Sequence, residues 1–484
     1  GLTRYSEKEF SDALSGLIGS CVTIDAINTA LRAITNRYVA DGYVTSRAVV
    51  GPQDLKTGTL EIVVVEGAIA EIRSSEKGYS DRTLNMAFAG QKGNLLNLRA
   101  IEQGVDQLAR LASFEPGIDI EPGVLPGTSN LVISRKEIVR NLRPTLSFDN
   151  DGSASTGRFQ SMFGLDADNV LSLADYWSLY YTRGLKNKAE ISNESMGGFV
   201  SLPYGWWTAS LSGGRFTYTS ILSGNGQAFS NDGKSWNAAL LLDRMLYRDA
   251  KTKFTLSWGV NLTDTENRIQ GIRLSTSSYR QVTGSVNLRF QRRLKDAFVG
   301  IDFGFARGLK ILGANAADTG PGGATIQARR LSAAVTYQTK VEFFDTPLDY
   351  NVLLRAQAAL DPVFSNGRFS LGGSSTVRGF RDDGISGRYG TFLRQEVGFP
   401  LAKLFTNDRA LAVKMSGVVG YDAGAIIAYN SDRFERGQLH ASTVGLRISS
   451  RHVQAELSAS APVLSPSFID RTPYEISASV RITF

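Results

Sequence analysis

At 484 residues the chain is longer than an ordinary single domain, and its mean hydropathy of −0.12 with 42% hydrophobic residues reads as soluble. That reading does not exclude a transmembrane barrel, because polar lumen-facing residues dilute lipid-facing ones. A transmembrane helix is excluded, since no run of about 18 apolar residues occurs, which leaves a closed barrel as the only spanning option.

The formal charge of +7 comes from 53 Lys and Arg against 46 Asp and Glu, and the isoelectric point lies near 9.3. The basic residues are scattered rather than clustered, so they read as lumen and loop charges and not as a nucleic-acid patch. Cys21 is the single cysteine, which excludes an internal disulfide and a thiolate metal cluster. It is expected to be a buried structural residue. Gly1-Leu2-Thr3 opens without a charged or apolar leader.

In chain order, Gly1 to Tyr5 reads as the end of a strand, the opening strand of the first module being truncated. Ile24, Ile27, Leu31, Ile34 and Tyr38 recur at helical spacing between Val22 and Val39, with Thr23 as N-cap. A β-branched strand pair follows, Tyr43 to Val50 and Leu60 to Val65, separated by Gly51-Pro52-Gln53-Asp54 and Thr57-Gly58. The same order then recurs. A strand near Ala70 to Ser74 precedes a short helix, Asp81 to Phe88, and a longer one, Leu98 to Ala112. Strands near Ile118 to Ile120 and Asn130 to Ser134 close the set. Ile101, Val105, Leu108 and Leu111 give the longer helix its apolar face. Two α/β modules in tandem, residues 1–68 and 69–138, account for this texture.

From Leu142 to Phe484 period-two alternation replaces helical spacing. Phe254, Leu256, Trp258, Val260 and Leu262 alternate with Thr255, Ser257, Gly259, Asn261 and Thr263; Val282, Val286, Leu288 and Phe290 alternate with Thr283, Ser285, Asn287, Arg289 and Gln291. Several such segments exceed ten residues, longer than the five or six usual in sandwiches, and about sixteen can be counted, an even number as single-chain bacterial barrels require. Tyr176, Trp177, Tyr180, Tyr181, Trp206 and Trp207 are candidates for aromatic girdles. The chain ends on Glu475 to Phe484, apolar at every second position and closing on an aromatic residue. That ending resembles the signature by which outer-membrane barrels are recognised for assembly. The fold class is therefore α+β plus an all-β membrane barrel of sixteen antiparallel strands.

Enzyme readings lack their residues, so no catalytic residue, metal site or cofactor is assigned. His440 and His452 are the only histidines, both at strand or strand-end positions. No G-x-S-x-G occurs. Gly233-Lys234-Ser235 looks like the end of a phosphate loop, but Ala228 stands where the earlier glycine is required, and the segment reads as a hairpin turn. Asp149-Asn150-Asp151-Gly152 lacks the glutamate of a calcium loop and reads as a tight turn.

Three segments resemble one family, the two-partner secretion translocators of the Omp85 superfamily. Phe369 to Phe380, F-S-L-G-G-S-S-T-V-R-G-F, resembles that family's inward-folded hairpin, spanning about residues 363–390, with Val377, Arg378, Gly379 and Phe380 at its tip. Gly417 to Gly424, G-V-V-G-Y-D-A-G, is similar to the barrel-wall motif whose aspartate meets the hairpin arginine. Gly42 to Gly67 resembles the end of the first periplasmic POTRA module, though Gly51 stands where the family often has a second proline. Asp149 to Gly157 also looks like the first barrel hairpin.

The resemblance implies two POTRA modules and a barrel, over 142–484, exporting a large, mostly β-helical exoprotein of the TpsA type. The exoprotein's N-terminal secretion domain is the expected docking partner, and export is expected without ATP. It further implies an outer-membrane location, lipid contact, delivery by the barrel-assembly machinery through Phe484, and a monomer that binds no nucleic acid. Arg378 is expected to meet Asp422, with Gly420, Tyr421 and Gly424 beside it in the wall. Family members also carry a plug helix and linker that these residues do not show. The rival readings are a barrel-assembly factor of the same superfamily, a passive porin and an outer-membrane hydrolase.

Overall fold

The computed structural model describes residues 2–75, 78–185, 191–224, 226–315, 323–404, 413–427, 436–470 and 472–484. They form two compact units: residues 1–141 with 168–176 and 202–208, and the remainder.

In the first unit a single turn, Glu7–Phe10, runs into α1 (Ser11–Leu14) and is followed by α2 (Ile24–Ala40). Thr23 is the N-cap of α2, its hydroxyl accepting from Ala26 N at 3.2 Å. Ile34 and Tyr38 on one face of α2 pack with Tyr5, Phe10, Ala48 and Val64. The antiparallel strands β1 (Arg47–Val49) and β2 (Val63–Val65) are shorter than the alternation suggests. The cause is local. The Gln53 amide takes the main-chain groups of Glu61, donating to its carbonyl at 2.9 Å and accepting from its N–H at 2.8 Å, so this stretch is paired by a side chain rather than a strand.

Two expectations fail here. Leu2 to Tyr5 forms no strand: Thr3 N and Arg4 N donate to the Glu66 carboxylate at 3.0 and 2.9 Å, so a side chain replaces a ladder. Cys21 is exposed, because residues 15–22 link α1 to α2 outside the core.

The second module contains β3 (Ala68–Ser74), α3 (Asp81–Ala87), α4 (Leu98–Ala109), β4 (Phe114–Pro122) and β5 (Thr128–Glu137). Its sheet runs β3-β5-β4, with β3 parallel and β4 antiparallel to β5. Ile101, Leu108 and Leu111 bury against Ile69, Leu84, Phe88, Leu131 and Ile133. Gly104 lets the Phe88 ring lie against α4, since a Cβ there would sit 2.2 Å from the ring. Residues 168–176 and 202–208 complete this unit. Ser113 N donates to Asp168 Oδ2 at 2.8 Å, and Gln107 Nε2 to the Gly205 carbonyl at 2.9 Å. Tyr176, read from sequence as a girdle residue, packs against this apolar cluster instead.

The second unit is a closed barrel of antiparallel neighbours. Its strands begin with β6 (Leu142–Asp149), β7 (Gln160–Asp168), β8 (Tyr176–Gly184), β9 (Ser192–Tyr204), β10 (Trp207–Gly224), β11 (Gln227–Arg248) and β12 (Thr252–Ile269). After the two-residue β13 (Ile272–Arg273) come β14 (Tyr279–Arg293), β15 (Ala297–Leu309), β16 (Arg329–Phe343) and β17 (Thr346–Ala359). β18 (Phe369–Leu371) and β19 (Ile385–Gly387) form a separate small sheet. β20 (Tyr389–Leu404), β21 (Val413–Ile427), β22 (Gly437–Ser449), β23 (Val453–Leu464) and β24 (Glu475–Thr483) return to β6. Because β12 pairs directly with β14, β13 is a short extension, and the wall has sixteen strands.

Alternation sorts the two faces. Trp258, Val260, Val286, Leu288, Phe303, Phe305, Ile476 and Val480 are exposed on the outside, an apolar band of the kind that faces lipid. Gly233-Lys234-Ser235 is not a turn: it lies within β11, opposite Asn267, Glu266 and Thr265, because that strand runs well beyond the length a bilayer needs. Asp149 ends β6 and caps the bend that follows, accepting from Asp151 N at 3.0 Å.

Candidate functional site

Between β17 and β20, the eleventh and twelfth strands of the wall, the chain leaves the sheet as a long hairpin carrying β18 and β19. Leu371, Val377, Phe380 and Ile385 of the hairpin bury with Phe392, Ile426, Leu439 and Ala441. These wall residues lie on the inner faces of β20, β21 and β22, so the hairpin is folded into the lumen. At its tip Gly379 has φ +89°, a left-handed conformation that glycine adopts freely.

β21 shows how the wall receives the tip. Gly420, Asp422, Gly424 and Ile426 are buried on one face, while Val419, Tyr421 and Ile427 are exposed on the other. Asp422 is fully buried. Its carboxylate accepts from Arg378 Nε at 2.7 Å and Nη2 at 2.8 Å, a bidentate fork, and from Arg378 N at 3.1 Å. The glycines provide clearance. A Cβ at Gly420 would stand 2.7 Å from Arg378 Nη2, and one at Gly424 would stand 2.7 Å from Leu371 Cδ2.

Tyr421 is not part of this contact. It occupies the outer face, where its hydroxyl and His440 Nδ1 share a hydrogen bond of 2.7 Å. The side-chain period of a strand is two, so neighbours 421 and 422 must face opposite ways.

Charges that sequence reading missed complete the network. Arg378 Nη1 donates to Glu396 Oε1 at 2.6 Å, and Arg394 Nε donates to Asp422 Oδ1 at 3.1 Å. Arg394 Nη2 also reaches the Ser374 carbonyl at 2.9 Å. Arg447 bridges Glu396 at 3.1 Å and Glu456 at 3.0 Å. Arg378, Arg394 and Arg447 thus interleave with Asp422, Glu396 and Glu456, every formal charge having an opposite neighbour. The available signal was charge at successive inward positions of β20, Arg394 and Glu396, which alone cannot say what the residues face. Phe484 lies at the seam: it is exposed, and its N–H donates to the Pro144 carbonyl at 3.0 Å.

A closed sixteen-stranded barrel holding an inward hairpin, preceded by two small α/β modules, defines a class: outer-membrane barrels with POTRA modules. The family model described as haemolysin secretion/activation protein ShlB/FhaC/HecB matches residues 127–448, and two POTRA models match residues 1–67 and 68–122. The chain belongs to the ShlB/FhaC/HecB family, and its location is accordingly the bacterial outer membrane with the POTRA modules in the periplasm.

Among curated relatives, the outer membrane transporter CdiB of Escherichia coli is 29% identical over 97% of this chain and 78% of its own length. The hemolysin transporter protein ShlB of Serratia marcescens is 27% identical over 100% of this chain and 84% of its own length. The solved structure of CdiB from Escherichia coli superposes with a TM-score of 0.92 at 29% identity, covering 100% of this chain and 89% of that one. These relatives are transporters rather than enzymes.

Proposed function

We propose that the chain is the translocator of a two-partner secretion system, exporting one large TpsA-type exoprotein through its barrel lumen without ATP. Membership of a family whose relatives are outer-membrane transporters carries this reading. The POTRA sheets supply the docking site: β3 and β4 are edge strands, and an extended segment of the exoprotein's secretion domain adds a strand to such an edge. A polar inner wall then lets an unfolded chain pass without meeting lipid.

The hairpin tip, Val377 to Phe380, with Asp422, Gly420 and Gly424 is the functional site in this reading: the Arg378–Asp422 fork holds the hairpin at a fixed depth beside the passage. Phe484 serves biogenesis through the barrel-assembly machinery, and the transporter works as a monomer. Secretion of a cognate TpsA-type exoprotein, with and without the chain, tests the assignment. Loss of other barrels from the membrane instead of loss of secretion would favour an assembly factor.

A further inference from the structure

The hairpin has a second attachment, away from Asp422, at the place where the last strand meets the first. The β24–β6 register runs only from Ser479–Asp149 to Thr483–Thr145, whereas β24 pairs β23 from Ile482 back to Glu475. Residues 475–478 therefore lie beyond the β24–β6 ladder, which ends at Ser479. Past the ladder Asn150 N still donates to the Ala478 carbonyl at 3.2 Å, and side chains add the contacts that follow. Asn150 Nδ2 donates to the Ile476 carbonyl at 2.9 Å, and Ala478 N donates to Asn150 Oδ1 at 2.8 Å. Arg381, directly after the hairpin tip, donates through Nη2 to the same Ile476 carbonyl at 3.0 Å and to Ser477 Oγ at 2.7 Å. Its N–H donates to Glu475 Oε1 at 3.0 Å. The neighbouring Asp382 accepts from Ala154 N and from Arg158 Nη2, each at 2.7 Å, tying the hairpin to the loop that leaves β6.

We propose that Arg381 and Asp382, with Asn150 and Arg158, form a polar clip that closes the loop-side half of the barrel seam, so the wall is complete only while the hairpin is seated. Ile476 and Val480 on this strand face outward and are exposed, so an unclipped edge would present unpaired main-chain groups beside lipid. Such edges are avoided in membranes. The Arg381 side chain is only 5% exposed, which suits a wall component better than a loop charge. The clip follows from the barrel alone and does not depend on the export reading.

The test uses the full chain, with the double variant Arg381→Met, Asp382→Asn, followed by hydrogen exchange of residues 472–484. Exchange around Ala478 should accelerate by roughly ten-fold or more, with β21 unchanged. Unchanged exchange would overturn the proposal. In a Cys21→Ser background, Ser147→Cys and Arg481→Cys add a disulfide across the part of the seam that is strand-paired. In planar bilayers the clip variant should show enlarged openings that oxidation of this pair suppresses and reduction restores. Openings indifferent to oxidation would contradict the clip. Should the clip variant fail to insert, recovery by the disulfide supports the proposal, and failure to recover refutes it.

Discussion

Replacing Asp422 should harm export more than replacing Arg378, and the reason lies in who is left behind. Asp422→Ala removes the acceptor of three Arg378 bonds and of the 3.1 Å bond from Arg394, leaving two guanidinium groups short of a partner in a buried site. Arg378→Ala leaves the Asp422 carboxylate with Arg394 still beside it. Breaking a buried pair by removing one partner costs about 3–5 kcal/mol, less where lumen water reaches the remaining charge. Asp422→Ala belongs at the upper end of that range and Arg378→Ala below it. A loss of about 3 kcal/mol shifts hairpin seating by about two orders of magnitude. Arg378→Lys should rescue little, since a lysine cannot reproduce the two-pronged fork. The double variant should be little worse than Asp422→Ala alone, because the residues share one interaction. The assay is secretion of the cognate exoprotein, normalised to inserted barrel. Wild-type secretion by both single variants, or defects that add in free energy, would refute the reasoning.

Gly424→Val should push Leu371 off the wall and impair secretion with the barrel still inserted, measurable in the same assay, because the added branch enters space the hairpin occupies. Phe484→Ser should lower the amount of inserted barrel; normal insertion with lost secretion would reassign that residue to transport. In the first POTRA module, burial alone would raise the Glu66 pKa, but hydrogen bonds from Thr3, Arg4 and Tyr38 outweigh it and hold the carboxyl below its ordinary value. A depressed folded-state pKa gives stability that is present above the unfolded value and lost as pH falls through the folded one. The pinning of Thr3 and Arg4 should therefore persist at neutral pH and weaken in acid, and Glu66→Gln should abolish that pH dependence in a thermal-melting series. Finally, the full chain should bind the exoprotein's secretion domain saturably, residues 142–484 alone should not, and equal binding to unrelated unfolded chains would remove the claim of specificity.

The barrel was legible because its physics is one-dimensional: a strand between lipid and water must alternate, and Phe254 to Leu262 does so without interruption. The hairpin was legible through a resemblance carried by Val377 to Phe380. Other features depend on closure in three dimensions. Glu396, Arg394 and Arg447 look like any lumen charges in sequence, and only the closed wall joins them with Arg378 and Asp422 in one network. Arg381 and Asp382 meet Glu475 and Arg158 across more than ninety and two hundred residues respectively, beyond any local pattern. Tyr421 was decidable in principle, since the alternation that buries Asp422 turns its neighbour outward. Gly233-Lys234-Ser235 misled because turn-forming residues also occur in strands that outrun the membrane. Cys21 and Leu2 to Tyr5 misled because a short connector and a side-chain cap leave no periodic trace.

The most direct measurement places this chain and a cognate TpsA-type exoprotein in a Gram-negative host lacking both, and quantifies exoprotein outside the cell. The account predicts secretion only when the chain is present and its loss, with barrel levels unchanged, in the Asp422→Ala variant. Exoprotein released equally without the chain would contradict it.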